Sequence, residues 1–259
     1  MITIKIFTSP VELSRFAAEQ FKEVTLAAVA QRGQFLAALA GGGTPQALYR
    51  LLAQSPYRET LPWDKMRFFW GDERCVPPEN AESCYQQAYA TWLAQVPVPP
   101  GNLHRAKGEL DPALAAADYA RQLKDMAEAG HSWPSFDFVL LGLGADGHTA
   151  SLFPGSELTS GYATVAVTAH YQDRPANRVS MTPEVFNAAR TVVFLASGPE
   201  KARALAITLT GRREPVKFPA QRIRPLNGDV WWLVDQSAAS LLPDHIEGMT
   251  LQKQPDGLQ

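Results

Sequence analysis

One stretch of this chain concentrates groups that could do chemistry. Residues 142–154 read GLGADGHTASLFP and directly follow the run FDFVLL at 136–141. That run is short, nearly all apolar and stopped by glycine, which predicts a buried strand. Gly142, Gly144 and Gly147 then let the backbone turn tightly and approach a ligand. Asp146 and His148 sit inside the turn, where a parallel strand delivers functional groups. A histidine there can move protons near neutral pH. The plainer alternative is a histidine that caps a helix over 149–152.

The three glycines also match GxGxxG, the dinucleotide fingerprint, which is weak on its own. An acidic residue should close the next strand about 20 residues on, to hold a ribose. The next strand candidate, 162–168, runs into Ala169 and His170 instead. Nicotinamide binding is therefore disfavoured, and no cofactor is expected.

Three other segments bring polar groups to strand ends or helix starts. Residues 41–45 read GGGTP between a strand-like run and a helix start. Gly42, Gly43 and Thr44 there could hold an anion on free N–H groups at the positive end of the helix dipole. No Gly-Lys-Ser/Thr follows, so a nucleotide P-loop is disfavoured. Residues 71–74 read GDER after an apolar strand, and such charges belong in a cleft or on the surface. Arg178 in NRVSMTP (177–183) and Lys201 in GPEK (198–201) both suit a phosphate, one as a fork and one as a point charge. Singly, each is an ordinary turn or surface charge; jointly they describe one phosphate cradle and one acid–base group. None of the five histidines is paired at spacing four, and no metal site is expected.

The elements that must position these groups alternate. Strands are expected at 1–7, 34–40, 66–70, 136–141, 162–168, 177–181, 191–196 and 229–235. Helices are expected at 9–32, 45–53, 81–93, 111–129, 182–189, 199–209 and 236–242. Residues 211–228 read as an irregular loop with one short helical turn. Alternation of this kind predicts an α/β fold, a mostly parallel Rossmann-like sheet with helices on both faces. One domain over 1–242 and a C-terminal tail over 243–259 are expected.

Bulk properties narrow the partners. The 259 residues are 46% hydrophobic, enough for a large core, and the net charge is −2. That balance disfavours nucleic acid as a partner. Two cysteines, Cys75 and Cys84, are too few for a disulfide framework and fit a reducing cytoplasm. No apolar run approaches the ~20 residues needed to cross a bilayer, and the N-terminus lacks the pattern of a secretion signal.

Taken together, 41–45, 71–74, 142–154, Arg178 and 198–201 resemble the 6-phosphogluconolactonases, in order and spacing from residue 1 to about 242. The long motif around His148 is the specific part. The resemblance implies the fold of the glucosamine-6-phosphate deaminase and ribose-5-phosphate isomerase group. It implies cofactor-free hydrolysis of 6-phospho-D-glucono-1,5-lactone in the oxidative pentose phosphate pathway, with a phosphorylated sugar lactone as partner and a monomer favoured. By the resemblance, His148 is the general base and Arg74 steadies the oxyanion. Asp146 either orients His148 or contacts sugar hydroxyls. Gly42, Gly43, Thr44, Arg178 and Lys201 hold the phosphate, and Gly144 contacts substrate. Asp72 contacts a hydroxyl or partners Arg74. The related deaminases are the main alternative, and a non-catalytic sugar-phosphate-binding protein is another. A deaminase carries a glutamate just before the closing proline and an aromatic residue at position 74. Here those positions hold Phe153 and Arg74, which favours the lactonase.

Overall fold

The computed structural model describes residues 1–156 and 160–253. In chain order the elements begin β1 (Ile2–Phe7), α1 (Pro10–Arg32), β2 (Phe35–Leu39), α2 (Gly43–Leu52), α3 (Tyr57–Thr60), β3 (Met66–Trp70) and β4 (Asp72–Arg74). They continue with α4 (Cys84–Thr91), α5 (Pro112–Asp125), β5 (Phe138–Gly142), β6 (Thr164–Thr168), β7 (Asn177–Met181) and α6 (Pro183–Asn187). The last are β8 (Thr191–Ala196), α7 (Ala202–Thr210), β9 (Asp229–Asp235) and β10 (Thr250–Lys253). Local chemistry sets the helix ends. Ser9 accepts a hydrogen bond from Glu12 N–H, Pro10 opens α1, and Gly33 closes it at φ 73°.

Seven strands form one parallel sheet in the order β10-β1-β9-β8-β5-β2-β3. Its strands alternate between two cores. On one face Phe35, Ala37, Leu39, Phe68, Trp70, Phe138 and Leu140 pack with Phe21 of α1, Leu48 of α2 and Trp92. On the other, Leu36, Ala38, Phe69, Val139 and Leu141 pack with Tyr119 of α5, Phe186 of α6 and Leu205 of α7. Burial on both faces explains why the strands read as apolar runs. The expected α/β class, a parallel sheet with helices on both faces, is the observed one.

The chain leaves β2 toward β3 at one edge and leaves β5 toward β8 in the opposite direction. This reversal opens a crevice beyond the carboxyl ends of β2 and β5, the place where such sheets bind ligands. Both glycine-rich turns lie there.

Three expectations are corrected. Strands 162–168 and 177–181 do not join the parallel sheet; β6 and β7 pair antiparallel with each other and with β4, in the order β4-β7-β6. The link between them, 169–176, is too short for a parallel crossover, which needs about a dozen residues or more. Residues 236–242 form turns rather than a helix. The Asp235 carboxylate accepts from the Ser237 hydroxyl and the Ala238 N–H at 2.8 Å each, as an N-cap does, but the segment then closes on three-residue turns, Ser240 N–H to Ser237 C=O and Leu242 N–H to Ala239 C=O, and Pro243 stops it. The stretch expected as a tail from 243 supplies β10, parallel to β1 with Ile4 opposite Leu251, and puts Ile246 in the core. Residues 254–259 of that stretch lie outside the described residues.

Trp92 is fully buried among Phe21, Tyr49, Trp63 and Phe68, with ring centroids 5.2–6.0 Å away. Trp92→Ala is expected to cost about 3–5 kcal/mol and to lower Tm on the order of 10 °C. Thermal melting by circular dichroism checks it.

Candidate active site

A cavity of about 200 Å³ opens at the crevice. The glycine turns, β4, the 169–176 loop, Arg178 and Lys201 line it.

The turn after β5 is built to aim one imidazole. His148 Nδ1–H donates to Asp146 Oδ1 at 2.6 Å, and the His148 backbone N–H donates to the same oxygen at 3.1 Å. A carboxylate only accepts, so Nδ1 carries the proton and Nε2 keeps its lone pair. Burial alone would raise the Asp146 carboxyl, but the hydrogen bonds and charge at His148 outweigh it and hold it below its ordinary value. Gly144 N–H donates to His148 C=O at 2.8 Å, and a Cβ on Gly144 would fall on the imidazole and the Asp146 carboxylate. This position therefore requires glycine for close approach. Gly147 has φ 87° and its C=O accepts from Ala220 N–H of the 211–228 loop at 3.0 Å. No helix follows at 149–152; Thr149 Oγ1–H instead donates to Gly142 C=O at 2.8 Å. The histidine is thus not a helix cap.

The turn after β2 leaves α2 without a side-chain cap. Gly42 N–H is already given to Gln87 Oε1 at 2.9 Å. Gly43 and Thr44, the first residues of α2, have N–H groups that no turn of their own helix can satisfy. They face the cavity with the positive end of the helix dipole behind them.

The small sheet supplies the cations. Arg74 on β4 stands opposite Arg178 on β7. Arg178 is 3% exposed, and its Nε and one terminal nitrogen have no acceptor among the described residues. Burial, and Arg74 across the ladder, hold its guanidinium below the ordinary value, against the pull of Asp72. Its Cζ lies 5.3 Å from the Phe153 ring centroid. Arg74 donates to Glu82 C=O at 2.5 Å and pairs with the Glu82 carboxylate at 3.6 Å, while its buried Nε has no partner among the described residues. Asp72 does not pair with Arg74; Ser151 Oγ–H donates to Asp72 Oδ2 at 2.6 Å. Glu73 points away from the cavity and caps α4, accepting from Ser83 Oγ–H and the Cys84 and Tyr85 N–H groups at 2.6–2.9 Å. Burial pushes the Glu73 carboxyl up, and these donors pull against it.

The sequence model of the family glucosamine-6-phosphate isomerases/6-phosphogluconolactonase matches residues 8–232. The chain belongs to this family. It is 42% identical to the 6-phosphogluconolactonase of Synechocystis over 219 residues, 83% of this chain and 88% of that one. The solved 6-phosphogluconolactonase of Trypanosoma brucei is 31% identical, with TM-score 0.82 over 94% of this chain and 99% of that one. A monomeric glucosamine-6-phosphate deaminase, 23% identical, shares the fold at TM-score 0.80 over 92% of this chain and 99% of that one.

Within this family fold, His148, Arg74, Asp72, Gly144, Gly43, Thr44, Arg178 and Lys201 converge on one cavity. Asp146 does not line it and reaches it only through its hydrogen bond to His148. Gly42 lines it as well, with its N–H engaged. Sequence reasoning missed Tyr171 and Arg174, which the β6–β7 loop brings to the cavity, and Ser151, which holds Asp72. The short spacing between strands 162–168 and 177–181 was the available signal of a hairpin. Among the described residues no helix is long and apolar enough to cross a membrane.

A carboxyl held low when folded adds stability above its unfolded pKa and loses it as pH falls through the folded value. Asp146→Asn removes that contribution. The Tm difference between wild type and variant should be full above the ordinary value of 3.8 and should shrink as pH drops further. Melting curves across the acid range check this.

Proposed function

We propose that this chain hydrolyses 6-phospho-D-glucono-1,5-lactone to 6-phosphogluconate, the hydrolytic step of the oxidative pentose phosphate pathway. The observation that carries the reading is a buried, acceptor-less Arg178 beside a histidine whose Nδ1 is occupied and whose Nε2 is free. A guanidinium out of water without acceptors is costly until an anion arrives. A 6-phosphate is such an anion, and Lys201 with the Gly43 and Thr44 N–H groups completes its cradle. The curated and solved lactonases above support this choice of substrate.

The lactone then lies with C1 toward His148. His148 Nε2 takes a proton from water as the water oxygen bonds to C1. Arg74 donates to the oxyanion that develops on the C1 oxygen. When the tetrahedral intermediate collapses, the C1–O bond to the ring oxygen breaks and His148 returns its proton to that oxygen. The product is an open hydroxy acid whose carboxylate stays beside Arg74. Asp146 orients His148. Asp72, steered by Ser151, accepts from a sugar hydroxyl. Every step uses only water and side chains, so the proposed mechanism calls for no cofactor; a cytoplasmic monomer that needs no nucleic acid is part of the same proposal.

Phe153 argues against deaminase chemistry, since a phenyl ring cannot relay a proton to a sugar ring oxygen. The direct assay generates the lactone in situ from glucose 6-phosphate and follows acid release. Ammonia release from glucosamine 6-phosphate is the control, and its appearance without lactone hydrolysis would overturn the reading.

Arg178→Ala and Lys201→Ala are each expected to raise KM for the lactone by the loss of a charge-assisted contact, about 1.5–3 kcal/mol. Unphosphorylated gluconolactone should be a poor substrate in the same assay. His148→Asn should fold normally and bind 6-phosphogluconate in calorimetry, yet lose about 10²-fold or more in kcat. Near-normal turnover in that variant would move the base to Asp72 or Asp146.

A further inference from the structure

The imidazole of His148 is enclosed on more sides than its hydrogen bond to Asp146 accounts for. Its face lies against Phe153, with centroids 4.6 Å apart and planes 30° apart. Tyr171 meets it edge-to-face, with centroids 4.8 Å apart and planes 76° apart. Phe153 and Tyr171 also touch, 5.7 Å between centroids. On a further side the Gly144 backbone comes so close that a Cβ would overlap the ring. Phe153 belongs to the histidine's own turn, whereas Tyr171 arrives from the β6–β7 loop of the small sheet.

We propose that Tyr171 is a positioning residue for the general base. With Phe153 it forms an aromatic slot that keeps the imidazole turned so that Nε2 faces the cavity. This rests on the reading of His148 as base.

A hydrogen bond at Nδ1 fixes one atom of the ring, while the terminal torsion of histidine is broad and roughly two-fold. The ring can still tilt about that bond. Phe153, inclined 30° to the imidazole, blocks tilting toward its own side. Tyr171, nearly perpendicular, blocks a different motion. The loop's backbone supports the same conclusion. Gln172 and Asp173, directly after Tyr171, sit at φ 53° and 52°, an uncommon region for residues other than glycine. Ala169 N–H to Ala176 C=O at 2.9 Å and Arg174 N–H to Tyr171 C=O at 3.2 Å hold the loop in that shape. Positive φ at both central residues with a bond from the fourth residue to the first is the geometry of a type I′ turn, a favoured hairpin connection, and it fixes where Tyr171 leaves the backbone. The contact itself is apolar, so the phenol hydroxyl is not required for it.

The test compares wild type, Tyr171→Phe and Tyr171→Ala on the lactone, with thermal melting to verify folding; Tyr171→Leu replaces the alanine variant if that one does not fold. Tyr171→Ala should lower kcat about 10–100-fold, the scale of a small misplacement of a reacting group, with KM unchanged. Tyr171→Phe should keep wild-type kcat and KM. Proton NMR of the histidine ring gives a readout that needs no turnover: the His148 Nδ1 proton should be resolved in wild type and Tyr171→Phe and lost to exchange in Tyr171→Ala. Unchanged kcat in Tyr171→Ala, a rise in KM alone, or a phenylalanine variant as impaired as the alanine one would each overturn the proposal. If wild type does not hydrolyse the lactone, the functional reading fails, and the NMR comparison alone decides whether Tyr171 holds the ring.

Discussion

Arg178 carries a guanidinium in a place almost closed to water, with two of its nitrogens given no acceptor among the described residues. Much of the site follows from keeping that charge there. The middle strand of the small sheet fixes its backbone from both sides. The Phe153 face lies under its side chain, and Asp72 offers the opposing charge that burial works against. Arg74 directly opposite adds repulsion, and like charges across a ladder are destabilising. An arrangement of that kind is stable only as part of a site that expects an anion. It also explains why the free N–H groups of α2 face the same space, since their partial charges add to the same field.

The two sheets divide the work. The parallel sheet ends β2 and β5 beside each other where chain direction reverses, so its contribution is two glycine-rich turns with exposed backbone. The small antiparallel sheet is inserted after β3 and after β5, and it carries both arginines and Tyr171. Phe153 joins the halves, because one ring touches both His148 and Arg178. His148 and Arg178 are thereby packed against one common ring rather than joined by a polar link.

Periodicity made the parallel core legible, since strands buried on both faces must be short apolar runs and the helices between them must be capped. Ser9-Pro10 and Gly33 bounded α1 as expected, because caps are local hydrogen bonds. The β6 and β7 segments were recognised as strands yet assigned to the wrong sheet, because a run of alternating residues does not name its partner; only loop length carried that information. The final strand was missed because β10 is a short polar edge, TLQK, whose stability comes from pairing with β1. Helix 236–242 was expected at the end of β9; Asp235 caps its start, but the segment closes on three-residue turns and Pro243 leaves no room for a helix to develop.

For the site, the order of residue types along the chain was enough to nominate His148, Asp146, the triple glycine, Arg74, Arg178 and Lys201, because chemistry of this kind needs particular groups on particular turns. The sequence by itself determined which groups exist and that glycine must surround them. Tertiary structure alone decided that Gly42 has its N–H engaged, that Arg74 pairs with Glu82 rather than Asp72, and that Tyr171 lies against the imidazole. Each of these is a contact between different elements or loops, whose geometry is set by how those pieces pack and not by the periodicity within any one of them.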